Sequence, residues 1–184
     1  MYTYKDITAL SGFQCLNLNQ QRVIWDSLEI QKLADEGETK AVKFVNEWFC
    51  HAGIVALEKG GFLPDIIQKN CYGGIPHSFT DVEGSALFNV CSPIPLQKEI
   101  SRHQPRVLHI LKQHPGFYRV YHSVLFLGVD GQGKYITWEK QAAEKPFRVS
   151  NLGELVSEFS GFGWGSRSIK TYPSTEKNRL YNGS

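Results

Sequence analysis

The sequence predicts an α+β fold in which N-terminal helices precede a small antiparallel β-sheet. Apolar residues recur at helical spacing over residues 19–59. Runs rich in β-branched and aromatic residues, separated by turn residues, follow in the second half of the chain. Helices first and strands afterwards is the order expected of an α+β domain.

Length and composition set the class of protein. The chain has 184 residues, of which 41% are hydrophobic and 12% aromatic, as in a globular domain. We therefore expect one domain over residues 1–174, followed by a flexible polar tail at 175–184. The net charge of +2 comes from 20 basic and 18 acidic residues spread along the chain. No basic stripe for nucleic acid and no membrane-length apolar run is present, so neither partner is expected.

Two segments predict the helices. Residues 19–35 carry Ile24, Trp25 and Leu28 at helical spacing and end close to Gly37. Helix-forming residues continue over 38–59 and stop at Gly60-Gly61, a plausible C-cap. The second segment is either one long helix or two helices broken near residues 46–47. In the second case Cys50 lies in the first turn of the new helix.

The later elements are shorter. Glycine and proline punctuate residues 62–101 around the short run "ALFNV", and residues 101–114 predict a short helix or strand. "PFRV" predicts a strand, and Ser150 or Asn151 can cap a helix that runs to about Phe159. "GFGWGSRS" is interpreted as an aromatic-glycine loop.

The most specific pattern is "YHSVLFLGVDGQGKYITWEK" at residues 121–140, which predicts a β-hairpin. If Asp130-Gly131 forms a two-residue turn, paired residue numbers sum to 261 and Glu139 lies directly opposite His122. This pair falls in a non-hydrogen-bonded site, where side chains approach most closely. A carboxylate facing an imidazole can fix its tautomer and stabilise its protonated form, as in a catalytic triad.

The missing member of such a triad is a nucleophile. A thiol gains nucleophilicity at a helix N-terminus beside a histidine, which favours Cys50. Cys71, in the glycine-rich stretch "KNCYGGI", is the alternative. Cys15 and Cys91 have less to recommend them. The wide spacing of the four cysteines predicts reduced thiols, and no C-x-x-C pair indicates a metal or redox site.

Four segments carry a family resemblance: "FCHAGIVALEKGGF", "YHSVLFLGVDGQG", "KYITWEKQ" and "PFRVSNLGELVSEFS". Over about residues 46–159 they resemble the papain-like cysteine hydrolases, closest in pattern to the CHAP-type amidohydrolases. The resemblance implies a papain-like fold with Cys50 as nucleophile, His122 as general base and Glu139 as its orienting partner. It implies an amidase or peptidase that works through a thioester acyl-enzyme and needs neither a metal nor an organic cofactor.

The expected partner is therefore a peptide or another amide-containing substrate. Two alternatives stay open: a non-catalytic interaction module with the same fold, and an effector of the glutamine deamidase or transglutaminase type. The first residues show no classical signal peptide. The sequence thus favours a cytoplasmic protein or one delivered by a dedicated secretion system.

Overall fold

The computed structural model confirms the α+β class. It describes residues 1–63, 66, 86–89, 97–98, 100–115, 117–142 and 144–171, with backbone alone at 86–89, 113, 117 and 118. Contacts divide the chain into two compact units, which we call the sheet unit and the helical unit. The sheet unit comprises Met1–Leu16, Pro76–Trp138 and Val149–Ile169, and the helical unit comprises Asn17–Ile75, Glu139–Arg148 and Lys170–Ser184.

The sheet unit is built on a six-stranded sheet with the order β1-β6-β2-β3-β4-β5. The pairs β1–β6, β6–β2, β2–β3 and β3–β4 are antiparallel. Its helices are short: α1, α2 and α6. In chain order, the elements are α1 (Tyr4–Thr8), α2 (Ser11–Gln14), β1 (Ala86–Asn89), β2 (Arg106–His114), β3 (Phe117–Val129), β4 (Tyr135–Lys140), β5 (Phe147–Asn151), α6 (Leu152–Glu158) and β6 (Gly163–Arg167).

The core of the sheet unit lies between one sheet face and α6. Strand residues alternate between faces, so Leu108 and Ile110 of β2 share a face with Val124 and Phe126 of β3. Leu152 and Leu155 of α6, with Ile100 and Trp164, complete this buried cluster. Asn151 caps α6 by accepting a hydrogen bond from the Glu154 backbone N–H, which confirms the predicted cap.

The prediction of a loop at "GFGWGSRS" is wrong, because Gly163–Arg167 forms strand β6. β6 lies between β1 and β2, so both of its edges are paired. Glycine is depleted in strands when local preference decides, but two neighbouring strands satisfy this backbone and Trp164 is fully buried. Tertiary pairing overrides the local loop signal here.

The hairpin of β3 and β4 is confirmed, but its predicted turn and register are wrong. The loop spans residues 131–133: the Asp130 N–H donates to the Lys134 carbonyl, and Gly133 takes a positive φ of 80°. A bulge at Leu127 then shifts the pairing, so Leu125 lies opposite Trp138 and paired numbers sum to 263 there. His122 and Glu139 would lie directly opposite each other only if the sum were 261.

The helical unit contains α3 (Leu18–Asp35), α4 (Thr39–Glu47) and α5 (Cys50–Lys59). Asn17 begins α3 with a capping box, and the Glu38 side chain caps α4. α5 ends at Gly60, whose φ of 74° is left-handed, as predicted. No helix in the described ranges combines the length and apolar character that a membrane span requires.

An aromatic cluster forms the core of the helical unit. Phe62 packs edge-to-face against Phe44, Trp48 and Phe147, with ring centroids 5.1, 4.9 and 5.7 Å apart. Trp48 and Phe49 are extended and separate α4 from α5, so the two-helix alternative is correct. Trp48 is fully buried at this break.

Candidate functional site

Cys50 is the first residue of α5, the position required of a helix-activated nucleophile. Phe49 at the N-cap supplies no side-chain acceptor for the helix N–H groups. The thiol is partly exposed, whereas the eight residues that follow are buried. The partial positive charge at the start of a helix favours an anion at this position.

Lys140 brings a second positive charge to this region. Its side chain is fully buried, which is rare for lysine. The ammonium lies 5.6 Å from the centroid of the Phe147 ring. Three backbone carbonyl oxygens accept hydrogen bonds from Nζ: those of Gln141 at 3.2 Å, Ala142 at 2.8 Å and Lys145 at 2.6 Å.

The charges of Lys140 and Cys50 act on each other. Burial lowers the pKa of Lys140 from 10.5 to about 8, and the negative form of Cys50 opposes that shift. The ammonium therefore stays mostly protonated at neutral pH. Because the interaction is mutual, the charged lysine favours the thiolate form of Cys50.

Glu139 is held by an arginine. Arg148 Nε donates to Glu139 Oε1 at 2.6 Å, with the carboxylate fully buried and the guanidinium side chain 26% exposed. Glu139 and Lys140 are consecutive in β4 and therefore point to opposite faces of the strand. Within the helical unit, Lys140 is a β4 residue whose charge interacts with that of Cys50.

His122 lies on β3 in the sheet unit, opposite Ile110. It is 5% exposed, and its ring stacks on Phe159 with centroids 5.3 Å apart and planes 19° apart. The prediction that Glu139 lies directly opposite His122 is wrong in this register. The roles of His122 as general base and of Glu139 as its orienting partner stay predictions.

A second histidine, His109 of β2, forms a buried polar network that the sequence did not indicate. Arg167 Nε donates to His109 Nε2 at 3.2 Å, so the ring proton lies on Nδ1, which is 2.8 Å from Ser123 Oγ. Ser123 thus accepts from the ring instead of donating to it. In this tautomer His109 cannot take a proton from Ser123, so this pair does not form a serine nucleophile.

Lys140 is the residue that sequence reasoning missed. A charged residue at a strand end is usually solvated, so the pattern gives no reason to expect a buried ammonium there. Lys140 lies two residues after Trp138, which was predicted to be core and is fully buried, so the two side chains share a strand face. Glu139, on the opposite face, is also fully buried, so β4 is covered on both faces.

The other cysteines divide between described and undescribed parts of the chain. Cys15 and Cys50 are reduced thiols, as predicted. The alternative nucleophile Cys71, together with Cys91 and the predicted tail at 175–184, lies outside the described residues. Within the described ranges, no group of three histidine, cysteine or acidic side chains is arranged to hold a metal ion.

Comparison with known proteins yields no match among protein families, curated proteins or solved structures. Function is therefore argued from the chain's own residues.

Proposed function

We propose that the protein is a cysteine hydrolase of the amidase or peptidase type with Cys50 as its nucleophile. The observation that carries the proposal is the position of Cys50 at the start of α5, where its charge interacts with that of buried Lys140. A helix N-terminus and a neighbouring cation are the two features that convert a thiol into a nucleophilic thiolate.

The proposed chemistry is acyl transfer. The Cys50 thiolate attacks an amide carbonyl, and the new C–S bond forms as the C–N bond breaks. The leaving amine takes the proton that the general base removed from the thiol, and water then cleaves the thioester to a carboxylic acid and regenerates the thiol. If an amine replaces water as acceptor, the same thioester gives transglutamination. The backbone N–H groups that begin α5 would stabilise the oxyanion.

The proposal includes a papain-like arrangement, supported by the helix that begins at the cysteine and the antiparallel sheet that follows along the chain. His122 is proposed as the general base on the sequence pattern. Glu139 is proposed as its orienting partner on the same pattern, and Arg148 on its Oε1 makes this the weakest element. A separate variant tests each role.

A non-catalytic interaction module is the second candidate, and specific observations favour it. His122 is buried against Phe159, and Glu139 is buried against Arg148. Both are the surroundings of residues that stabilise a fold, since buried polar groups need partners. In such a module Cys50 reacts as an ordinary thiol.

The deciding experiment is the pH dependence of alkylation by iodoacetamide, with peptide mapping to follow each cysteine. A model thiol is only about 1% thiolate at pH 6.5, so fast alkylation at this pH requires an activated cysteine. Exposed Cys15, followed in the same sample, is the reference for the rate. We expect Cys50 to react about tenfold faster than Cys15 at that pH. Equal rates for the two cysteines would support the interaction module.

Three variants assign the roles. His122→Ala should remove the low-pH reactivity of Cys50, whereas His114→Ala, at the end of β2, should leave it unchanged. Glu139→Gln tests the orienting role by the same measurement.

Rapid selective reaction at Cys71 instead of Cys50 would keep the enzyme class and move the nucleophile. A screen with peptide amides and glutamine peptides then separates amidase from deamidase or transglutaminase activity.

A further inference from the structure

The sheet unit contains a cavity of about 660 Å³, within the range of small-molecule sites. It lies among α1, the loop between β3 and β4, and the start of α6. Leu10, Val129 and Ile136 supply apolar lining, and Tyr2 contributes a phenol ring. This cavity is separate from the chemistry proposed for Cys50 and does not rest on it.

Three carboxylates line the cavity, those of Asp6, Asp130 and Glu154. Each holds its own turn or cap through one oxygen. Asp6 Oδ2 accepts a hydrogen bond from the Thr3 N–H at 2.7 Å. Asp130 Oδ1 accepts from the N–H groups of Gln132 and Lys134, both at 2.9 Å. Glu154 Oε1 accepts from the side-chain amide of Asn151 at 2.9 Å. The second oxygen of each carboxylate accepts no hydrogen bond from the described part of the chain.

The negative charges of these three carboxylates all act on the Tyr2 hydroxyl. Burial raises the pKa of Tyr2, the Asn151 side chain opposes that rise, and the charges of Asp130, Glu154 and Asp6 add to it. Asp6 is itself firmly ionised, because its hydrogen bonds to Thr3 lower its pKa. A ligand that approaches Tyr2 therefore meets a negative potential.

A bare metal ion is not the cation expected in this cavity. Among the described residues, no group of three histidine, cysteine or acidic side chains is arranged to hold one. Lys5 and Lys134 also line the cavity, but both are exposed, and among the described residues neither pairs with the three carboxylates. A larger cation with several N–H donors can reach separated carboxylates, and its aliphatic stem can cover the apolar lining.

We propose that this cavity binds an organic cation, a protonated amine or guanidinium carried on an aliphatic stem. The spare oxygens of Asp6, Asp130 and Glu154 accept its N–H groups, and Leu10, Val129 and Ile136 contact the stem.

Calorimetric titration of the full chain with butylguanidinium tests this, with neutral butylurea as the matched isostere. We expect a dissociation constant of about 1 mM or below for the cation and at least about tenfold weaker binding for the urea. Butylammonium, titrated in parallel, distinguishes an amine site from a guanidinium site. Equal affinity for butylurea, or no binding of either cation, would overturn the proposal.

Charge variants locate the site. Glu154→Gln keeps the acceptor for Asn151 but removes one charge, and should weaken butylguanidinium binding about three- to fivefold. Asp6→Asn is a second variant with the same expectation. Glu158→Gln removes a charge one turn later on α6, outside the cavity, and should leave the affinity unchanged. Equal weakening by Glu158→Gln would place binding elsewhere and contradict the site.

Discussion

The two described cysteines lie at opposite ends of two different helices, Cys15 at a C-terminus and Cys50 at an N-terminus. Cys15 is the C-cap residue of α2, is exposed, and donates a weak hydrogen bond to the His103 carbonyl at 3.6 Å. Cys50 begins α5, is partly buried, and interacts with the charge of Lys140. Helix dipoles disfavour an anion at a C-terminus and favour it at an N-terminus. The thiol at the helix N-terminus, Cys50, is therefore the candidate nucleophile of the two.

The surroundings of the two thiols differ as much as their helix ends. The segment Glu139–Arg148 contains three charged side chains that are buried or largely buried, each with a partner inside the protein. The surroundings of Cys15 are open to solvent, which screens charge. Substitutions that remove a charge should therefore change the free energy of unfolding and the thiol reactivity strongly near Cys50 and weakly near Cys15.

The largest expected effect is on stability. Arg148→Ala removes the guanidinium on a fully buried carboxylate and should lower the free energy of unfolding by about 3 kcal/mol. Glu139→Gln keeps an acceptor for Arg148 and should cost less. Urea denaturation of both variants gives the comparison. Lys43→Ala is the control, because its pair with Glu47 at 3.9 Å is exposed and should contribute less than about 0.5 kcal/mol. A loss near zero for Arg148→Ala would show that the pair does not stabilise the fold.

The second expected effect is on how the free energy of unfolding changes with pH. The folded pKa of Lys140, about 8, lies below its ordinary value of 10.5, so between these values the unfolded chain binds more protons. The contribution of Lys140 to the free energy of unfolding should therefore rise with pH in this window, by at most about 1.4 kcal/mol per pH unit. Below pH 8 it should be constant.

The measurement is the difference in unfolding free energy between the wild type and Lys140→Met, which has no titrating group at that position. A difference that stays flat from pH 7 to 10.5 would contradict the lowered pKa. Lys134→Met removes an exposed lysine and is the matched control for the loss of one positive charge.

The smallest effect is on reactivity, and it tests the contrast between the thiols directly. Lys140→Met should slow alkylation of Cys50 at pH 7, because it removes the positive charge that favours the thiolate form. Lys140→Arg keeps the charge and should retain most of the rate. Cys15 should react at the same rate in all three proteins, and a parallel change at Cys15 would indicate general loosening of the fold.

Local patterns predicted much of this molecule. The apolar spacing before Gly37, the cap at Asn151 and the left-handed Gly60 correspond to α3, α6 and the end of α5. These features depend on interactions between residues that are a few positions apart in the chain. The local sequence is therefore enough to predict them. Cys50 in a first turn was one of two alternatives, and the extended backbone at Trp48 and Phe49 shows that this alternative is correct.

Long-range pairing was the part that the sequence could not supply. The bulge at Leu127 and the longer loop after Asp130 moved the hairpin register, so Glu139 is not directly opposite His122 as the two-residue turn predicted. A register is exact to one residue, whereas turn residues such as Asp130, Gly131 and Gly133 permit several loop lengths. Strand β6 was missed for a related reason, since its stability comes from β1 and β2 on either side.

The sequence by itself determined the α+β order, the helix ends and the small set of candidate nucleophiles, because caps, periodicity and residue chemistry are local. Tertiary structure alone decided which charges share surroundings: Arg148 with Glu139, Lys140 with Cys50, and three carboxylates around Tyr2. The physical reason is that electrostatic interaction depends on distance and burial, and chain folding sets both.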